Sequence, residues 1–294
     1  MNSSALSPVR YCGRLFTAQE IERIVQMIAE DPQRNRAQLS YLVCDELRWF
    51  RPDGRRKDMA CRVAMLRMHR DGLICLPTPQ KRNGNGCLCP KFTAASDPRS
   101  PLSIPAKEFG PLQFQLVNTR QDSVLWNELI QRYHYLGYKP LPGAQLRYLV
   151  FGGHHLLAAL GFGAAAWAVA PRDQFIGWTP QQRWRNLPLV VNNARFLVLP
   201  WIVSPNLASR ILGTAVKRVL PDWQHRYKYT PVLLETFVDR QRFRGTCYRA
   251  ANWILVGQTQ GRGKLDRHYM RSLPIKDIFL YPLHKHFRHL LCTP

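Results

Sequence analysis

The chain has 294 residues, 46% of them hydrophobic and 11% aromatic, with 42 Lys and Arg against 19 Asp and Glu and a formal net charge of +23. This hydrophobicity excludes a disordered chain, and the longest apolar run, Leu156 to Ala170, is shorter than the roughly 18 residues of a membrane span. A compact state tolerates such self-repulsion for the sake of an anionic partner, and nucleic acid, which releases a counterion for each neutralised phosphate, is the partner expected.

A membrane surface is not expected, because the chain carries no basic amphipathic helix or juxtamembrane basic block. Eleven acidic residues precede residue 110 and eight follow it, so the basic surplus is expected over both halves. The first ten residues lack the apolar run of a secretory signal, and a cytoplasmic location is the expectation.

Thr17-Ala18-Gln19-Glu20 is a capping box. Ile21, Ile24, Val25 and Ile28 follow it as one helical stripe, ended by Asp31-Pro32. Leu39, Leu42, Val43 and Leu47 repeat the pattern in a second helix, and Arg51-Pro52-Asp53-Gly54 is turn chemistry. A third helix is predicted from Asp58 to Arg70 with Met59, Val63 and Leu66 inward, then a short strand from Leu73 to Pro77. Three short helices and a strand predict a winged helix-turn-helix over residues 1–79. Arg55, Arg56, Lys57, Arg62, Arg67 and Arg70 lie on the third helix and its approach, where a recognition helix meets the major groove of duplex DNA. The alternative is a solvated basic face on a helical bundle that docks another protein.

Eight cysteines are spread along the chain, and Cys87 and Cys89 lack a matching pair at zinc-finger spacing. Reduced thiols and no metal are therefore expected. Residues 80–105 are rich in Pro, Gly, Ser and Asn, without a period, and are expected to be a linker.

Residues 106–294 are expected to form a second domain. Its predicted elements are a strand over Pro111 to Val117, a helix over Gln121 to Tyr133, and a hairpin of Leu146–Phe151 and Leu156–Trp167 turned at Gly152-Gly153. A short helix opened by Thr179-Pro180 and a strand from Arg195 to Leu199 follow. A helix then opens at Ser204-Pro205-Asn206 and is ended by Pro221. The last elements are a strand from Val232 to Val238, a short helix from Thr246 to Trp253, and a final strand from Ile254 to Gln258. A hairpin beside strand–helix–strand units implies an α+β fold with a mixed sheet and flanking helices.

Glu235, Phe237 and Asp239 alternate onto one face of their strand, which puts the two carboxylates about 13 Å apart at roughly 3.3 Å per residue, too far to share a proton. Asp239 is either a functional group at the strand's C-terminal end or a turn cap before Arg240. Tyr248 is either a site residue or a half-buried aromatic with a wet hydroxyl. His134, between Tyr133 and Tyr135, either stacks on a base or moves a proton at a pocket rim, or else interacts with the dipole of its helix. Arg240, Arg242, Arg244, Arg249, Arg262, Lys264 and Arg267 cluster around the Asp239 loop with Phe243 and Tyr248 interleaved, which suits a single nucleic-acid strand. His284, His286 and His289 lack a carboxylate or Cys partner and are taken as surface residues.

Tyr133-His134-Tyr135-Leu136-Gly137, and the run from Leu234 to Asp239 continued by Gly245 to Gly263, resemble a family of proteins from bacterial mobile elements. That family includes the A subunit of the Druantia anti-phage defence system, and the resemblance spans about Phe16 to Tyr269. The strand order also resembles the GNAT acyltransferase fold, within which these segments are similar to phage Mom-type proteins that modify adenine in DNA. The resemblance implies a GNAT-like second domain and a DNA-acting protein of a defence system or mobile element that modifies a base. Tyr248 would be the general acid, and a carboxylate, Asp239 or Glu235, would take a proton. It implies acyl-CoA as cofactor, with the phosphates at Ser204, Asn206, Ser209 and Arg210. That loop has no Gly, and Pro205 removes one donor, which favours the alternative of a non-catalytic DNA-binding adaptor recruiting a helicase or transposase. A small-molecule acyltransferase would leave the charge unexplained.

Overall fold

A computed structural model describes residues 8–80, 90–261 and 273–293. Two compact units form, Met1–Gly86 and Cys87–Pro294.

The N-terminal unit opens with a hairpin of β1 (Val9–Tyr11) and β2 (Arg14–Phe16), turned at Cys12 and Gly13, both at positive φ. Three helices follow, α1 (Ala18–Glu30), α2 (Arg36–Glu46) and α3 (Asp58–Arg70). The Thr17 hydroxyl accepts from Glu20 N and the Glu20 carboxylate accepts from Thr17 N, the predicted box. A second box, Asn35 with Gln38, starts α2 and was not anticipated.

The core is Phe16, Ile24, Leu39, Val43, Cys61, Met65 and Met68 with their neighbours. Val25, Leu42, Met59 and Val63, expected inward, are exposed. The small Cys61 and Ala64 are buried on α3 together with Met65 and Met68, and that choice turns Met59 and Val63 to water. Leu73 to Pro77 is not a strand; it forms no ladder, and Leu76 N donates to the His69 ring instead. The two-stranded sheet precedes α1, and the 47–57 connection carries one isolated bridge, Phe50 to Arg56.

Of the segment expected to be a linker, residues 90–105 are tied to the C-terminal unit. Thr93 N and its hydroxyl donate to buried Glu128, Tyr133 donates to Ser96 O, and Leu102 N donates to Trp201 O at 2.7 Å. Pro and Gly break regular structure there, yet the backbone groups still find partners.

The C-terminal unit runs β3 (Leu112–Leu116), α4 (Arg120–Tyr133), β4 (Gln145–Gly152), β5 (His155–Ala164), α5 (Ala170–Ile176), α6 (Pro180–Asn186) and β6 (Val190–Val198). It continues with α7 (Leu207–Tyr227), β7 (Leu233–Asp239), α8 (Thr246–Ala250), β8 (Ile254–Gln258), β9 (Lys276–Pro282) and α9 (Phe287–Leu291). The sheet order is β3-β4-β5-β6-β7-β9-β8, antiparallel except for β6 beside β7, so the expected α+β mixed sheet is present. Alternate residues divide between the faces. Val191, Leu234 and Phe279 join a core with α4 and α7, while Val190, Leu233 and Ile278 pack with α5 and α9.

Three elements were not foreseen: α5, α9 and β9. Strand β9 inserts between β7 and β8, so Ile254–Gln258 is an edge strand and not the last one. Strand β6 begins at Val190 rather than Arg195, because Asn192 and Asn193 are paired in the ladder despite their low strand propensity. Helix α7 runs through Pro221 to Tyr227. Pro221 is exposed, and buried Trp223 and Tyr227 in the next turn offset the lost hydrogen bond, a cost of about 3 kcal/mol.

One buried ion pair ties the sheet to α5. Arg172 Nη1 donates to Glu235 at 2.7 Å with both side chains fully out of solvent. Ala166 N also donates to Glu235, and the Arg172 guanidinium donates to Ala166 O and Asp173. Removing one partner leaves an unpaired buried charge. Arg172→Met should therefore lower unfolding stability by about 3–5 kcal/mol in urea; a loss below about 1 kcal/mol would show that the pair is not closed to water.

Candidate functional site

Strands β6 and β7 pair through three rungs, the last being Asn192 to Glu235. Asn193 lies opposite Phe162 and Arg195 opposite Gly161, so β6 bulges at Ala194, beyond that last rung. The fork this leaves is bridged by side chains. The Thr236 hydroxyl donates to Asn193 O at 3.0 Å, and the Tyr248 hydroxyl donates to Asn193 Oδ1 at 2.8 Å. Tyr248 is buried, stacked on Phe279 at 5.8 Å and set edge-on to Trp253 and Phe196. Burial pushes its phenol far above the ordinary value. Its hydroxyl is therefore not wet, and its proton is committed to Asn193.

Gly245, at φ +69, begins α8, and a Cβ there would sit 2.7 Å from the Phe279 ring. The glycine is what lets α8 bring Tyr248 onto Phe279.

Glu235 and Asp239 occupy different environments. Glu235 belongs to the Arg172 pair, with burial pushing its carboxyl up against the pull of the guanidinium. Asp239 is buried at the strand's end, where its carboxylate accepts Gln241 N at 3.0 Å and its carbonyl accepts Phe243 N. It is thus the cap of the following turn. Lys276 is its partner across the β7–β9 ladder, and Arg242 stands 3.8 Å away.

His134 caps α4, and its Nδ1 accepts Leu136 N at 3.2 Å. That places the ring proton on Nε2 and keeps the imidazole neutral. Burial, then the Arg195 and Lys276 charges, push its pKa down to about 4. Tyr135 stacks on His134 at 4.9 Å, meets Phe243 edge-on at 5.6 Å, and lies under the Arg242 guanidinium at 5.4 Å. Burial and Asp239 raise its phenol pKa, opposed by Arg195 and Arg242. The fold thus joins the corner after α4 to the turn after β7, with Arg195 and Lys276 in electrostatic reach. Arg195, Lys276, Asn193, Thr236 and the role of Tyr135 escaped sequence reasoning. Arg195, Lys276 and Asn193 lie outside the two runs that carry the resemblance, and the bulge that places Arg195 is a property of the ladder.

The loop before α7 has its own answer to the missing glycine. Asn206 takes the left-handed conformation at φ +65 that Gly usually supplies. Ser209 donates to Asn206 O, and the Arg210 guanidinium is held by Ala106 O and Gly110 O. Leu207 N is taken by Ser204 O, and the Ser204 hydroxyl is buried without a partner. A cavity of about 470 Å³ lies here, lined by Ser103, Lys107, Val203, Pro205 and Asn206 among others. The N–H groups of Ala208 and Ser209 and the Ser204 hydroxyl are the donors this loop itself offers, without the run of glycine N–H groups that cradles a diphosphate.

The expected nucleic-acid contacts divide. Arg56 is bound bidentate by Asp45 at 2.6 and 2.8 Å, Arg62 is bound by Asp58 at 2.5 Å, and Lys57 is half-buried, which lowers its pKa. Arg55, Arg67, Arg242 and Arg244 are exposed. Arg262 and Lys264 lie outside the described residues. Charge is not even between the units. Residues 87–294 carry 27 Lys and Arg against ten Asp and Glu, net +17, and residues 1–86 carry 15 against nine, net +6. Glu128, Asp222, Glu235, Asp239 and Asp277 are buried, so half of the C-terminal unit's acids are withdrawn from its surface. Among the described residues no three His, Cys, Asp or Glu side chains converge as a metal site, and no helix is long and apolar enough to cross a membrane.

The sequence model of the Druantia protein DruA family matches residues 67–273. The chain belongs to this family. No curated protein matches it. Similar solved structures include FeeM, an N-acyl amino acid synthase from uncultured soil microbes, at TM-score 0.37 and 11% identity, covering 59% of this chain and 91% of FeeM. A Bacillus subtilis acetyltransferase in complex with CoA has TM-score 0.38 and 8% identity, covering 59% and 100%. Aminoglycoside acetyltransferase AAC(6')-Ib in complex with coenzyme A has TM-score 0.40 and 13% identity, covering 58% and 95%. The DruA match takes in His134, Tyr135, Arg195, Asp239 and the fork, and leaves α1, α2 and Lys276 outside.

The neutral imidazole has a measurable consequence. Unfolded, His134 takes a proton near its ordinary pKa of about 6.5; folded, it takes one only near 4. Between those values the unfolded state binds more protons, so stability falls as pH falls from about 6.5 to about 4. His134→Gln should lose less stability between pH 7.5 and pH 5 than the parent protein, read from urea midpoints; equal losses would contradict this environment.

Proposed function

We propose that the protein is a nucleic-acid-binding component of a bacterial anti-phage defence system, acting as an adaptor that brings nucleic acid to a helicase or transposase. The observation that carries this reading is the net +17 of the C-terminal unit with half of its acids inside. No folding requirement produces that arrangement, and a polyphosphate satisfies it. The family match to Druantia protein DruA supports the defence role. The strand is held at the turn after β7, where Arg242 and Arg244 are exposed and Phe243 and Tyr135 offer ring faces. In the N-terminal unit, α1 to α3 act as the helix-turn-helix, and Arg67 and Arg70 face duplex DNA.

A catalytic reading is favoured by one observation, the neutral His134 beside Arg195 and Lys276, whose Nε2–H suits a hydrogen-bond donor next to cations that stabilise developing negative charge. In that reading a base of DNA is modified. The commitments of Tyr248 to Asn193 and of Glu235 to Arg172 favour the adaptor. Mass spectrometry of nucleosides from cells with and without the gene separates the two: a new modified base selects catalysis, and unchanged nucleosides select the adaptor.

Binding to duplex and single-stranded DNA should weaken steeply with salt. Arg242→Glu with Arg244→Glu should weaken it at least about tenfold and flatten the log–log salt slope by about two. A flat salt response of the parent protein, or an unchanged slope in the variant, would overturn the proposal.

A further inference from the structure

We propose that the groove between α2 and the loop leading into α3 holds an unpaired nucleotide, its base stacked on Tyr41 and Phe50. The inference rests on the nucleic-acid reading above and assigns it a substrate form, a single strand, at a separate surface.

The groove has a volume of about 770 Å³ and is lined by Tyr41, Phe50, Arg51, Arg55, Arg56 and Asp58. Both rings are unusually open for their type, Tyr41 at 42% and Phe50 at 39%. Neither belongs to the core of the unit. A wide groove with cations at its walls suggests duplex backbone at first sight, but carboxylates offset part of that charge. Asp45 holds Arg56 in a two-point bond, and Asp58, bound by Arg62, also lies 3.9 Å from Arg51. Counterion release, the drive for duplex binding, is reduced where carboxylates already offset the cations.

What the groove offers instead is flat faces. Asp45 grips the Arg56 guanidinium through Nε and Nη2, and its Cζ lies over the Tyr41 ring, 5.6 Å from the ring centre. An unpaired base stacks on aromatic rings and on guanidinium planes, and duplex bases present no such faces.

The wall is also rigid. Gly54, at φ +78, closes the turn by donating to Arg51 O at 2.9 Å, and Arg51 N donates to Arg55 O at 2.7 Å. Phe50 bridges Arg56, and Lys57 N donates to the carbonyl of buried Trp49. Phe50 is thereby held in place before a ligand arrives, which lowers the ordering cost of binding. Arg55, exposed on the turn, is placed to meet the phosphate.

The test is fluorescence anisotropy of the full chain with a labelled oligothymidylate and, separately, a labelled duplex. Tyr41→Ala with Phe50→Ala should weaken oligothymidylate binding about tenfold or more and leave duplex binding within twofold; Tyr41→Phe should keep both. Single-strand affinity within twofold of the parent in the double variant overturns the groove while leaving the nucleic-acid reading standing. Equal loss for both probes also overturns it. If the parent protein binds neither probe, both readings fall together. Should the double variant lose its helical circular dichroism, photocrosslinking of the parent protein to a bromouracil-substituted oligonucleotide decides. Crosslinks mapped to Tyr41 or Phe50 support the groove, and crosslinks confined to residues 90–293 overturn it.

Discussion

The contact between Arg172 and Glu235 governs the C-terminal unit. It lies at the last parallel rung, Asn192 to Glu235, and joins β7 to α5 and to the carbonyl of Ala166. One residue further on, the ladder has ended and Thr236 and Tyr248 reach across to Asn193. An unpaired carboxylate in a water-free position is costly, and this pair satisfies Glu235 at the rung where the strands separate. A candidate general acid and a candidate base are thereby absorbed into architecture.

The second organising feature is the sorting of charge. In the C-terminal unit half of the acids go inward, to Thr93 for Glu128, to Tyr148 and Arg218 for Asp222, and to the turn after β7 for Asp239. Among the described cations only Arg172 is buried with them. In the N-terminal unit the acids remain on the surface beside the arginines, as Asp45 with Arg56 and Glu46 with Arg23 illustrate. The two units therefore present different chemistry to an anion: a broad positive field in one case, and planar groups among paired charges with a smaller surplus in the other.

Local rules made much of the fold legible. The Thr17 and Thr179 caps start their helices at the next residue, as their sequences place them. Strands were expected where β3, β4, β5, β7 and β8 lie. The failures share a cause. Met59 and Val63 repeat at helical spacing as well as Cys61, Met65 and Met68 do, and only packing against α2 selects the face. Pro221 looks like a stop until Trp223 and Tyr227 are seen to be buried in the next turn. Strand β9 has an ordinary strand composition, and nothing local announces that it inserts between β7 and β8.

The candidate site divides along the same line. Residue order alone established the surplus of cations, the helix caps, and the presence of His134, Tyr135, Asp239 and the arginines in two separated runs, because composition and capping are local properties. The partners of those residues were settled by folding: Arg195 through a bulge in β6, Lys276 through the register of β9, and the commitment of Tyr248 to Asn193 through the end of the β6–β7 ladder. Long-range register and burial determine whether a polar side chain is spent on the protein or left for a ligand, and neither is encoded within reach of any one motif.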